Sequence, residues 1–350
     1  MLGIGIIGCG WIGQKHGEYL KAVRNARLVA AADVDVERAE AMRAYAPDVA
    51  ACGDHRELVS RGDVDAVIIA TPAKGRHEVV ADAFAAGKHV YCEKPLAVTV
   101  PEADAIVDLV ASSDRTFMMG FTRRFSVANV EAKRQIEEGK IGEPTFFRSN
   151  FRFHKAASDD LGHGSWLHSR DSGGGLIVEA SVHLWDLMRW LTGHEVAHLY
   201  CRARTKETPY GVVEDIVAIT GTLDGGALFA LDLSSSLPAG SSTDNRSEIV
   251  GSDGMLYLDE FRHYLMMNSE GALETTPHRR EVGQRFPDVL WHSPVEGALK
   301  RAQVYFVECL LSGRTPKPSA ADGREALALA WAACASADSG RPVRLDGAGA

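Results

Sequence analysis

The 350-residue sequence lacks most features that would place a chain outside the ordinary soluble class. No stretch approaches the roughly 20 apolar residues a membrane span needs, so no spanning segment is expected. Its opening residues show neither a basic n-region nor a cleavable apolar segment, which predicts a cytoplasmic protein. Six cysteines, at positions 9, 52, 92, 201, 309 and 334, are widely scattered and never form C-x-x-C. That pattern excludes a disulfide framework and a zinc site and predicts reduced, mostly buried thiols. Positive charge is in deficit: 38 Lys and Arg stand against 47 Asp and Glu, a net charge of −9. Such a balance opposes nucleic-acid and anionic-membrane partners, and no metal-ligand cluster is expected. There is no internal repeat and no low-complexity tract. What remains is 45% hydrophobic and 24% charged, enough for two domains with a sizeable core.

The first third alternates strand and helix patterns, as in a doubly wound α/β domain. Residues 2–13, LGIGIIGCGWIG, run from an apolar strand into the G-x-G-x-x-G spacing of a dinucleotide-binding turn. There Gly8 would permit the tight turn, Gly10 the approach of a pyrophosphate, and Gly13 close helix–strand packing. Trp11 and Ile12 would open a helix whose free N–H groups favour an anion. A second strand, 27–33, ends at Asp33, 20 residues after Gly13, where such domains place an acid on the adenosine ribose. A carboxylate there repels a 2′-phosphate, so NAD is preferred over NADP. Asp33 could instead be a plain helix N-cap. The apolar strand 65–70 stops at Thr71-Pro72, at an edge where open sheets bind ligands, and His77 follows as a cofactor contact or a surface residue. Strand 88–91 leads into Glu93-Lys94-Pro95. Lys94 is either a solvated lysine or, buried beside a cofactor, a proton-transfer group.

Beyond the strand 116–121 and Arg123-Arg124 the pattern changes. Strand 145–154 carries Asn150, Arg152 and His154 on one face by alternation, and 155–172, containing Trp166, reads as a loop over a site. Three glycines, 173–175, precede a helix to about 191. On it Glu179 and His183, four apart, share a face. A carboxylate one turn from an imidazole suits general acid–base work, or is simply an exposed pair that stabilises the helix. From 197 to 265 strands and turns follow without crossover helices, so an antiparallel sheet is expected. The stretch 268–291 is less regular; helices at 295–312 and 320–339 and a short strand at 341–345 close the chain.

The motifs Gly8–Gly13, Thr71-Pro72 with His77, Glu93-Lys94-Pro95 and the run GFTRRF at 120–125, in this order, resemble those of the Gfo/Idh/MocA oxidoreductases. The resemblance spans nearly the whole chain. It implies a Rossmann doubly wound parallel sheet over 1–123, then an α+β domain over 124–346 with a large, mostly antiparallel open sheet, and a tail at 347–350. The segment 173–183 is similar to the family pattern G-G-G-x-x-x-D-x-G-x-H, with Glu179 in place of the Asp and Ser181 in place of the last Gly.

The expected function is NAD-dependent oxidation of a secondary hydroxyl of a cyclic polyol or sugar, of the inositol or sugar dehydrogenase type. By the resemblance, Lys94, His183 and Glu179 carry the proton chemistry. Gly8, Gly10, Trp11, Ile12, Gly13, Asp33, Thr71, Pro72, His77, Glu93 and Lys94 line the cofactor, and Arg124, Arg152, His154, Trp166 and His183 the substrate. A homodimer or homotetramer formed through the second sheet is expected. The alternatives are an NAD-using glycoside hydrolase and a non-catalytic NAD- or sugar-sensing regulator.

Overall fold

The computed structural model describes residues 1–154, 169–205, 213–238, 240–260, 264–269, 272–276 and 294–345. The chain divides into two compact units. The first holds Met1–Thr122 and Ala298–Leu327, the second Arg123–Gly297 and Ala328–Ala350. Element order alone predicts a second unit unbroken from 124 to 346; the structure groups Ala298–Leu327 with the first unit instead. The reason is burial. On helix α8 (Pro294–Ser312) Phe306 packs edge-on to Tyr91 with ring centroids 5.8 Å apart, and Gln303 donates to the carbonyl of His16 at 3.0 Å. Helical periodicity does not reveal which core a C-terminal helix will cover.

In the first unit the chain runs β1 (Leu2–Ile7), α1 (Trp11–Leu20), β2 (Ala26–Ala32), α2 (Val36–Ala41), β3 (Ala50–Cys52), α3 (His55–Val59), β4 (Ala66–Ile69), α4 (Arg76–Ala85), β5 (His89–Cys92), α5 (Val100–Ser112) and β6 (Phe117–Met119). All six strands pair in parallel, in the order β3-β2-β1-β4-β5-β6. Buried on both faces, they are near-continuous apolar runs such as Ala66–Ile69, fully buried at every position. Strand order reverses at β1, so the carboxyl ends of β1 and β4 flank the crevice where doubly wound sheets take ligands.

The second unit contains α6 (Val127–Glu137), β7 (Pro144–Arg152), α7 (Leu176–Thr192), β8 (Val196–Arg204), β9 (Ile216–Leu223), β10 (Leu228–Ser234), β11 (Arg246–Gly251), β12 (Gly254–Asp259), β13 (Tyr264–Ser269), β14 (Ala272–Thr276) and β15 (Val343–Arg344). The last helix of the chain, α9, is Ala320–Ser339. Nine strands form one sheet in the order β14-β13-β12-β11-β7-β10-β9-β8-β15, antiparallel except for β7 with β10. The expectation of a large, mostly antiparallel sheet holds. It is wider than the sequence reading, because β13 and β14 extend it into the stretch read as less regular. Their sequences, YLMMNS and ALETT, lack the clean apolar–polar alternation that marks a half-buried strand. Helix α7 packs on one face, its Trp185 edge-on to Phe229 of β10 at 5.6 Å, beside the buried Phe147 of β7. Each such aromatic contributes about 1.5–3 kcal/mol by leaving water. Among the described residues no helix is long and apolar enough to cross a membrane.

Candidate active site

The glycines of the first turn are required for three different reasons. Gly8 has φ +91°, and a Cβ on it would lie 2.7 Å from the carbonyl carbon of Ala70. A Cβ on Gly13 would lie 2.0 Å from the Gly8 carbonyl oxygen, so helix α1 packs directly on the turn. A Cβ on Gly10 would meet nothing within 4 Å. The backbone at Gly10 therefore faces open space, a cradle that any side chain would fill. Helix α1 begins there with no side chain capping it and no acid in its first turn, which leaves its N-terminal dipole to an external anion.

Asp33, just past β2, closes the turn from the other side. One carboxylate oxygen accepts the Cys9 N–H at 2.7 Å and the other the Asp35 N–H at 3.0 Å. The helix N-cap role belongs to Asp35, which accepts from Glu37, so Asp33 is not the cap of α2. Each Asp33 oxygen keeps a lone pair for a ribose hydroxyl. Burial, with the Asp33 charge beside it, pushes the Cys9 thiol up to about 12, so this cysteine stays a neutral packing group. All six cysteines are buried, as expected. Open space at Gly10, the uncapped helix and the half-buried Asp33 fit a dinucleotide. So does the buried Thr71 Oγ1, which has no partner among the described residues.

At the carboxyl ends of β4 and β5, Lys94 is the one residue between 90 and 98 that is not buried. The turn that carries it is held by side chains. Glu93, 6% exposed, accepts the Lys94 N–H at 3.2 Å through Oε2 and meets His16 Nε2 at 3.0 Å through Oε1. The Gln303 amide donates both to the His16 carbonyl and toward His16 Nδ1, 2.8 Å away. Nδ1 is thus the acceptor and Nε2 carries the proton donated to Glu93. Arg76, 2% exposed, donates to the carbonyls of Thr71, Glu93 and Pro95. His77, its neighbour, is half-buried, and Pro72 is exposed.

In the second unit, 13 of the 17 residues of α7 are buried. Glu179 and His183 are among the four that are not, with Arg189 and Trp190. The two therefore lie on the one stripe of the helix that is half-buried rather than buried. Trp190, seven residues after His183, continues that stripe, and Arg124 stacks over its ring at 5.9 Å. Arg124 also forms a two-point pair with the buried Asp186, at 2.9 and 2.6 Å. Ser181 returns its hydroxyl to the Ile177 carbonyl. The helix start is set by Gly175 at φ +94° and by Glu214, whose carboxylate accepts the Ile177 N–H at 2.7 Å and pairs with Arg170 at 3.1 Å.

Arg152 is not brought to this stripe. By alternation from Phe147 it points to the sheet face opposite α7, where it pairs with Asp232 and Asp244. Burial alone would raise the Asp244 carboxyl. Hydrogen bonds from Arg246 and Asn150, with the Arg246 and Arg152 charges, hold it below the ordinary value instead. His154 gives its Nδ1 proton to the Leu237 carbonyl at 2.7 Å, leaving Nε2 as its acceptor. Trp166 lies outside the described residues.

Residues 2–121 match a family model described as "Oxidoreductase family, NAD-binding Rossmann fold", and residues 129–257 match the "GFO/IDH/MocA C-terminal domain". An inositol 2-dehydrogenase of Acidothermus cellulolyticus is 31% identical over 336 residues, covering 95% of this chain and 92% of that protein. The chain belongs to the Gfo/Idh/MocA oxidoreductase family. A myo-inositol 2-dehydrogenase of Thermotoga maritima is 29% identical over 98% of both chains. The crystal structure of an oxidoreductase domain protein from Kribbella flavida superposes with a TM-score of 0.88 at 27% identity, over 99% of each chain. In this Gfo/Idh/MocA oxidoreductase the sequence reading missed His16, Arg76, Glu214 and Gln303. Arg76 left one signal: a cation at the first position of α4, where the helix dipole disfavours it. The others join segments far apart in sequence and left none.

Proposed function

We propose that this oxidoreductase oxidises a secondary hydroxyl of a cyclic polyol or sugar, inositols first, with NAD preferred over NADP. The observation that carries the reading is the placement of Glu179 and His183, the acid and the imidazole set one turn apart on the half-buried stripe of an otherwise buried helix. The names of the relatives support the substrate class. The Asp33 carboxylate at the end of β2 supports NAD, since a 2′-phosphate there would meet its charge. Bound NAD supplies the hydride acceptor. Of the chain's own residues, His183 takes the hydroxyl proton, Glu179 raises its basicity, and Lys94 stabilises negative charge on the reacting oxygen and joins the proton relay. Glu is one methylene longer than the Asp of the family pattern, so the carboxylate addresses His183 from a different reach.

The proposal includes a second copy of the chain on the sheet face opposite α7. Half-buried Phe146, Ala230, Val250 and Tyr257 and the half-exposed Leu228 supply apolar surface there. It also includes a cytoplasmic setting, which the six buried thiols suit. The test is NADH absorbance during incubation with NAD or NADP and a panel of inositols, aldoses and glycosides. Reduction of NAD by an inositol or aldose is the expected result. Glycoside cleavage without NADH accumulation, or binding without turnover, would replace the dehydrogenase reading.

A further inference from the structure

We propose that Arg76 is the positioning residue for Lys94, a guanidinium that holds the lysine's turn from both sides. The proposal rests on the reading of Lys94 given above. Arg76 is 2% exposed, yet among the described residues none of its hydrogen bonds goes to a carboxylate. Its Nη1 donates to the carbonyls of Glu93 and Pro95, the residues on either side of Lys94. Its Nη2 donates to the carbonyl of Thr71, at the end of the neighbouring strand β4. A buried cation without an acid partner is costly, so its position calls for a role that a neutral side chain would not fill. What a guanidinium supplies is a rigid planar fork whose donors span three acceptors at once. The Glu93 carboxylate complements it by accepting the Lys94 N–H. Carbonyls before and after Lys94, and its own N–H, are thus all taken by buried side chains, while the lysine side chain is the part left outside the core.

An ammonium cannot reproduce this fork. A lysine at 76 keeps the charge as a point and cannot bond all three carbonyls in one geometry. A glutamine removes the charge and reaches less far. Both substitutions should release the turn without touching Gly10 or Asp33.

The test uses the full chain with Arg76→Lys and Arg76→Gln, alongside Lys94→Ala. In the cofactor-free protein, the rate of amine-specific labelling of Lys94 is followed by mass spectrometry of its peptide. NAD binding is measured by calorimetry, and turnover with myo-inositol as the probe substrate. A rise of at least threefold in Lys94 labelling of the cofactor-free protein is expected for both variants; the NAD titration of each variant sets a saturating cofactor concentration for its turnover assay. kcat should fall about tenfold to a hundredfold, the cost of misplacing a reacting group by about 1 Å. Unchanged Lys94 labelling in either folded variant, or wild-type kcat with an active Lys94-dependent enzyme, overturns the proposal. Failure of both variants to fold also overturns it, by making Arg76 a folding residue. If labelling rises but Lys94→Ala retains full turnover, the positioning stands and the catalytic reading of Lys94 is what fails.

Discussion

Replacing Gly10 and Gly13 by alanine separates two roles that one motif spacing conceals. At Gly13 the new methyl would sit 2.0 Å from the Gly8 carbonyl oxygen, about 1 Å inside any distance a real Cβ occupies. Helix α1 or the turn must move by that amount. Overpacking of this kind costs about 1–3 kcal/mol, offset by about 1 kcal/mol of helix propensity gained over glycine. The difference is about 0–2 kcal/mol, and because the clash is with backbone, which cannot rotate away, Gly13→Ala should fall in its upper half, about 1–2 kcal/mol. At Gly10 φ is −68°, open to any residue, and the methyl meets nothing within 4 Å. There the unfolded chain loses about 0.4–1 kcal/mol of entropy, and alanine caps worse than glycine by a similar amount. Gly10→Ala should therefore melt within about 0.5 kcal/mol of wild type. Its methyl fills the space over the uncapped helix terminus, and NAD affinity should fall at least tenfold, about 1.4 kcal/mol. Calorimetric melting without cofactor and NAD titration of both variants give the comparison. Wild-type NAD affinity in Gly10→Ala, or equal destabilisation of both variants, would refute this account of the turn.

Asp33→Ser should reduce the NAD-over-NADP ratio of kcat/KM at least tenfold, because the charge that repels a 2′-phosphate is gone; an unchanged ratio places the discrimination elsewhere. His183→Asn should lower kcat by about 10²–10⁴ with little change in NAD affinity, as expected for lost acid–base catalysis. Glu179→Gln should fall between that variant and wild type, read by steady-state kinetics and NAD titration. The buried thiols predict an alkaline transition. Burial pushes Cys9, Cys201 and Cys334 from the ordinary 9.0 up to about 12, and Cys92 to about 11. Below pH 9.0 both folded and unfolded chains hold these protons, and stability is unaffected. As pH rises from there the unfolded chain gives them up first, so stability should fall steadily toward pH 12. Denaturant melts across that range check the slope, and serine at the four positions should flatten it.

Features written in short stretches were legible before the fold was. The glycine turn, the 20-residue step to Asp33, and Glu93-Lys94-Pro95 are each recognisable by spacing alone, although their partners are not. The one-face placement of Glu179 and His183 follows from helix geometry alone. Legibility ended where a role depends on a distant partner. Alternation puts Arg152 on one face with Asn150 and His154 but names no partner for it. Pairing with Asp232 and Asp244 on the face away from α7 became visible only once β7 lay against β10. Likewise Asp35, two residues on, takes the cap that Asp33 could have filled.

By itself the sequence determined the two-unit plan, the parallel first sheet, the mostly antiparallel second one, and the order of the motifs. These depend on periodicity, turn chemistry and fixed spacing, which are local properties of a chain. Only the tertiary structure decided that residues 298–327 return to the first unit, that β13 and β14 widen the second sheet, and that His16, Gln303 and Arg76 brace the turn at Lys94. Those outcomes depend on contacts between segments far apart in the chain: apolar packing for the returning helix, strand pairing for β13 and β14, and buried hydrogen bonds for the brace. A donor and acceptor 287 residues apart, such as Gln303 and His16, share no pattern in sequence; packing alone brings them within 2.8 Å.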